Sequence, residues 1–400
     1  MRYALYFLRL GRCIFAVAAL AACGTGSSNQ SGAGGGHGGS AGVSGGTGGT
    51  GQGGLGAGGQ SGGTGAGLGG NFAGTGGGAG GPAAGAGGGN ASWSCPAGPF
   101  TTPTPSGIVL SRVAGVPPVD SVDMNWGFAI IEGPVWFGDA LYVSEVSSQS
   151  QPPYSRILKI TATDTVSVVY PDAGTNGLAT DGSRLIGGNH KIGGISAINL
   201  AAMTEMTLVS TYNGARFDSP NDLTIRRDGT IYFSDPSYQA PSTSPQGSER
   251  LYRLPPGAST AVVLDASRAR PNGVTLSLDE TKLYVTDTTG LYQYPVNSDG
   301  TVGTATRVAS NSISAGDGMA IDCQGNVYVA SNSSLIVVSP AGTVIGSIDL
   351  SSKVQSVSNA AFGGADHKTL YVVGLGNISS GGGTGAGLFK AQMPLPGMPY

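Results

Sequence analysis

The sequence predicts an all-β fold, a six-bladed β-propeller over residues 95–400, set behind a disordered Gly-rich tether. Three observations predict it. Beyond Cys95 the chain turns to Val, Ile, Leu, Tyr and turn residues, with no long helical periodicity. One unit recurs six times: a polar residue, a short apolar strand, a turn at Asp or Gly, and a second apolar strand coming back. The unit starts lie 44, 45, 51, 45 and 42 residues apart, each spacing holding the four short strands of a propeller blade.

The first residues read as an export signal. Arg2, Arg9 and Arg12 make a positive leader, and an apolar stretch from Cys13 to Ala22 follows. That stretch is shorter than the roughly 20 residues a spanning helix needs. It ends in Leu20-Ala21-Ala22-Cys23, which resembles a bacterial lipoprotein signal. The resemblance implies a signal peptide over 1–22, a lipidated Cys23 as the mature first residue, and a membrane contact through the lipid anchor alone. Gly24 after the cysteine points to the outer membrane of the cell envelope.

Residues 23–92 form the tether. Between Gly24 and Asn90 there is no Asp, Glu, Lys or Arg, and Leu55, Leu68 and Phe72 are nearly its only large apolar groups. Such a segment cannot bury enough surface to offset its chain entropy. Its GxGxxG matches carry no meaning, because no strand precedes them and no helix follows. As a Gly-rich coil it would span roughly 45 Å.

The six copies begin at Glu132 (EGPVWFGDALYVSE), Asn176 (NGLATDGSRLIGGN), Asn221 (NDLTIRRDGTIYFSD), Asn272 (NGVTLSLDETKLYVTD), Asp317 (DGMAIDCQGNVYVAS) and Asn359 (NAAFGGADHKTLYVVG). Third strands are expected at Arg156–Ile160, Gly194–Asn199, Arg250–Leu254, Gly290–Pro295, Leu335–Ser339 and Gly387–Ala391. The last blade then lacks an outer strand, and Gly107–Arg112 is the natural donor. Closing the ring in this way removes two open sheet edges.

Net charge is -3, so neither a nucleic-acid surface nor a polybasic membrane face is present. A monomer acting on a small molecule is expected. With Cys13 and Cys23 assigned to the leader, Cys95 and Cys323 remain. They either stand as separate thiols or bridge, and an oxidising periplasm favours the bridge.

The first strand of each propeller blade lines the central channel, so the six polar residues should meet at one mouth of it. Asn-Gly and Asp-Gly are also ordinary turn dipeptides, and singly each could be no more than that. In register, two carboxylates and four amides make an all-oxygen donor set. It suits a hard dication, Ca²⁺ first, with Mg²⁺, Mn²⁺ or Zn²⁺ as alternatives.

These residues resemble the SMP-30/gluconolactonase/LRE-like lactonases from about Ile130 to Gln392. The motifs are EGPVW at Glu132–Trp136, SPNDLTI and DGTIYFSDPSY within Ser219–Tyr238, PNGVTLSLDETKLYVTDT at Pro271–Thr288, DGMAID at Asp317–Asp322 and NAAFGG at Asn359–Gly364. The resemblance implies Glu132, Asn272 and Asp317 as metal ligands, with Asp317 also the catalytic acid/base of lactone hydrolysis. Asn221 would bind substrate or complete the metal shell. Asn176 is a further candidate for substrate contact. Some sugar-lactonase members carry an arginine two residues before the asparagine matched by Asn221; this chain has Ser219 there.

The remaining candidates are few. His37 lies in the tether, His367 in a turn, and His190 near a strand end, where a surface role is expected. Tyr238 is either a pocket wall or a packed core tyrosine, and Trp136 is expected between blades. No GxSxG elbow occurs in a strand–turn–helix context, which disfavours a Ser-His-Asp esterase. Two rivals to the lactonase share the fold: a binding propeller with a purely structural Ca²⁺, and a strictosidine-synthase-like condensing enzyme.

Overall fold

A computed structural model of the chain describes residues 93–117, 130–146, 154–241, 243–309, 311–376 and 386–399. The expected signal peptide, Cys23 and the tether lie outside the described residues. Six four-stranded antiparallel sheets follow one another as blades. Their inner strands are Ile130–Phe137, Thr175–Thr180, Leu223–Ile225, Val274–Leu276, Met319–Ile321 and Ser356–Gly363, in blades 1 to 6.

Each blade is a meander that grows more polar outwards. In blade 1 the inner and second strands, Ile130–Phe137 and Ala140–Val146, are buried almost throughout, whereas the outer strand Val166–Tyr170 is largely exposed. The near-continuous apolar runs read in the sequence are thus strands covered on both faces by neighbouring blades. The tight turns between inner and second strands need left-handed residues. Gly229 supplies one in blade 3 (φ 89°) and His367 another in blade 6 (φ 52°).

Apolar clusters fill the seams between blades. Between blades 6 and 1, Trp136 stacks on Tyr371 with ring centroids 6.0 Å apart, which is the inter-blade packing expected of it. The third strands fall at the expected places, for example Arg250–Leu254 and Gly387–Gln392.

The ring closes through the chain preceding blade 1. Ser111 and Arg112 pair with Lys390 and Phe389, completing blade 6 as its outer strand. The donor is shorter than the expected Gly107–Arg112. Gly107 belongs to a 3-10 turn, Pro105–Gly107, because the fixed φ of Pro105 starts a turn and not a strand.

The channel is crossed at the far end of the inner strands. There Gly397 bridges Asp322, Met398 N donates to Ile321 O (2.9 Å), and Trp136 N donates to Pro399 O (3.0 Å). Cys95 and Cys323 form a disulfide at this same end.

Candidate functional site

The six polar residues stand at or near the starts of the inner strands. One narrow cavity of ≈ 20 Å³ along the axis is lined by Asn359 itself and by Pro134, Leu178, Leu223, Val274 and Met319, each two residues beyond another of the six.

Backbone contacts link neighbouring members round the mouth. A Cβ added at Gly133 would lie 2.6 Å from Asn176 O, at Gly177 2.5 Å from Asn221 O, and at Gly273 2.3 Å from Asp317 O. Ser234 Oγ donates to Asn272 O (2.6 Å), and Ser358 Oγ donates to Ile131 O (2.6 Å) across the closing seam. Glycine after the polar residue is therefore a packing requirement: the blades approach too closely for a side chain.

Not every member stands ahead of its strand as expected. Asn221, Asn272 and Asp317 do, but Glu132, Asn176 and Asn359 lie inside the strands. Each of those three strands has a register shift next to its polar residue, and the bulge turns the side chain to the channel.

Glu132, Asn176, Asn221, Asn272 and Asn359 are buried. Asp317 alone of the six is, as a residue, only half-buried. The Asn272 side chain lies beside the Asp317 carboxylate and the Tyr238 phenol, close enough to act on the charge of both. Its Oδ1 is buried with no partner, as is the Oδ1 of Asn176. Asn359 lies beside both Glu132 and Asp222, where its amide lowers the carboxyl pKa of each, and its Oδ1 accepts from Ala360 N (2.8 Å).

Asp222 is the residue that sequence reasoning missed. It is buried, it lines the axial cavity, and its Oδ2 accepts from Val274 N of the next blade (3.0 Å). The three carboxylates strain one another. Burial, then the charges of Asp317 and Asp222, push Glu132 well above the usual carboxylate range. Burial and the Asp222 charge raise Asp317 to about 8, and burial raises Asp222 to about 7.

Such an arrangement fits a hard cation. The side-chain oxygens of Asn176 and Asn272 have no donor among the described residues, and the Glu132 and Asp317 carboxylates would both ionise readily beside a dication. Among the described residues, no group of three or more His, Cys, Asp or Glu could hold a metal. A cation here would rest on two carboxylates and amide oxygens, the donor set of Ca²⁺ and not of a Cys/His zinc site.

The remaining expectations divide. Tyr238 is 37% exposed, with its phenol against Asn272 at the mouth, so it is a wall of the site and not core. His190 is not a surface residue: it is 4% exposed, wedged between blades 2 and 3 beside Pro220 and Arg216, with its Nε2 buried and unpartnered among the described residues. Burial holds that ring neutral and lowers its pKa to about 4. His367 stacks on Trp93 with ring centroids 4.2 Å apart, away from the mouth.

The family described as SMP-30/Gluconolactonase/LRE-like region matches residues 130–375. The chain belongs to this family. A gluconolactonase of Zymomonas mobilis subsp. mobilis is 27% identical over 289 residues, covering 64% of this chain and 78% of that protein. The structure of a gluconolactonase from Xanthomonas campestris matches with a TM-score of 0.57 at 25% identity, covering 74% of this chain and 99% of its own. Regucalcin from Agrobacterium tumefaciens str. C58, a calcium-binding protein, shares the fold with a TM-score of 0.55 at 16% identity, over 68% of this chain and 94% of its own. Within this SMP-30/gluconolactonase/LRE-like chain, the departure at Ser219 has a structural use. Ser219 is buried, its hydroxyl donating to Pro236 O (2.6 Å) and accepting from Gln239 N (3.3 Å).

Proposed function

We propose that this protein is a divalent-cation-dependent lactonase, with Ca²⁺ the preferred cation. One observation carries the proposal: the Asn272 oxygen is buried with no partner among the described residues, on a side chain that lies beside the Asp317 carboxylate. The family match and the gluconolactonase relatives support the reaction class, and the calcium-binding neighbour supports the ion.

Glu132, Asn272 and Asp317 would hold the cation, with Asn221 completing the shell or contacting substrate beside Asn176. Bound there, the cation supplies Lewis-acid polarisation of the lactone carbonyl and charge stabilisation of the oxyanion. Asp317 takes a proton from the attacking water and returns it to the ring oxygen as the ester C–O bond breaks. Asn272 lies beside the Asp317 carboxylate, with the Tyr238 phenol against it in turn. The half-buried position of Asp317 supports an enzyme over a propeller whose cation only rigidifies the ring.

Hydrolysis of a lactone panel with and without EDTA, followed by Ca²⁺ add-back, tests this reading. Activity lost to EDTA, restored by Ca²⁺ and absent in Asp317→Ala is the expected result. Hydrolysis indifferent to EDTA, or no hydrolysis of any lactone, overturns it. Display on the outer membrane as a lipoprotein is part of the same proposal, motivated by Leu20-Ala21-Ala22-Cys23. It predicts that Cys23→Ser abolishes labelling by a radioactive fatty acid; retained labelling refutes the anchor.

A further inference from the structure

Glu249 ties together two loops at the mouth. Its Oε1 accepts from Ser237 N (3.1 Å) and Ser237 Oγ (2.6 Å), and its Oε2 accepts from Arg270 N (2.8 Å). The first bond set fixes the loop that carries Tyr238. The last fixes the loop that runs into Asn272. With both oxygens occupied, Glu249 leaves the Arg270 guanidinium only an ion pair at 3.9 Å.

Arg270 is unlike the other arginines. Every other described arginine places its guanidinium on a carbonyl, hydroxyl or carboxylate oxygen. That of Arg270 donates no hydrogen bond to any described residue; it lies over the Tyr238 ring, 5.3 Å from the centroid, with its side chain 37% exposed. The backbone of Arg270 is left-handed (φ 52°), a conformation that L side chains rarely adopt. The chain therefore holds this guanidinium in place with its donors open, on a ring whose phenol meets Asn272 and feels the Asp317 charge. The buried Ser219 offers the mouth no cation, so Arg270 stands in the next blade where a substrate's outer atoms would pass.

We propose that Arg270, mounted on Tyr238 and held by Glu249, recognises the substrate and selects lactones with an oxygen-rich arm over plain alkyl lactones. This rests on the lactonase reading above and names the substrate class of that same site. A planar fork of open N–H donors is matched by adjacent hydroxyls or by a carboxylate, and an alkyl chain offers it nothing.

The test uses Arg270→Asn, since asparagine tolerates the left-handed backbone while the charge and fork are removed. kcat/KM is measured for glucono-1,5-lactone, a glucarolactone and δ-valerolactone on both proteins, with Ca²⁺ affinity as the control for an intact site. The ratio of kcat/KM for an oxygen-rich lactone over δ-valerolactone is expected to fall about tenfold or more, mainly through KM. The lactone with the larger fall identifies the arm as hydroxyl or carboxylate. A ratio unchanged for both oxygen-rich lactones overturns the proposal. If the wild type hydrolyses no lactone, the lactonase reading fails separately, and calorimetric binding of gluconate decides this one. Gluconate binding lost in Arg270→Asn supports it; equal binding by both proteins, or by neither, overturns it.

Discussion

Gly318 abuts Asn359 so closely that a Cβ added at Gly318 would lie 1.9 Å from Asn359 Cγ. Blade 5 thus presses against the side chain that lies beside Glu132 and Asp222. Gly318→Ala is expected to drive Asn359 out of place, costing about 1–3 kcal/mol of stability by overpacking. Urea unfolding measures the cost, and a Ca²⁺ titration of the same variant should show weakened binding. Wild-type stability and affinity would mean that the ring has slack at this seam.

Asn359 acts on the site through other residues. Asn359→Ala removes the amide packed beside Glu132 and Asp222, and Ca²⁺ affinity is expected to fall about 10- to 100-fold although no proposed ligand is lost. Asn359→Asp would add a fourth carboxylate where three already repel, and it should unfold earlier than wild type in EDTA. A calorimetric titration and melting curves in EDTA check both expectations.

The Cys95–Cys323 bond closes a sequence separation of 228 residues at the end of the channel away from the polar ring. Replacing both cysteines by serine is expected to cost roughly 2–5 kcal/mol in urea unfolding. Lactone kcat/KM should stay at the wild-type value. A parallel loss of activity would show that the two ends of the channel are coupled.

His190 supplies a pH test. Its folded pKa lies at about 4, below the ordinary 6.5, because burial disfavours the charged ring. As pH falls through 6.5 the unfolded chain takes up a proton that the folded chain refuses until about 4. His190 therefore removes stability across that window, by up to about 3 kcal/mol. His190→Gln should narrow its Tm deficit against wild type, or overtake it, between pH 6.5 and 4. A difference in Tm that is flat with pH would contradict the buried neutral ring.

Much of the architecture was legible because the propeller repeats its own signal. Six polar residues at blade-length spacing located the inner strands. The bulges beside Glu132, Asn176 and Asn359 left no mark in composition, since a bulge adds a residue without changing residue type. Asp222 escaped for a related reason. As the neighbour of Asn221 it should point away from the channel, but the chain is not yet a strand there, so alternation does not apply. Glu249 and Arg270 lie in loops outside the repeat, where no periodicity reports on position. The nearest signal was Arg270 standing two residues before Asn272.

Calcium titration of wild type and Glu132→Gln is the most direct test of a cation site built from the six-fold ring. The wild type is expected to bind a single Ca²⁺ per chain, and Glu132→Gln, which keeps the shape and removes the charge, to bind about a hundredfold more weakly and lose lactone hydrolysis with it. Calcium bound by Glu132→Gln as tightly as by the wild type would contradict the account.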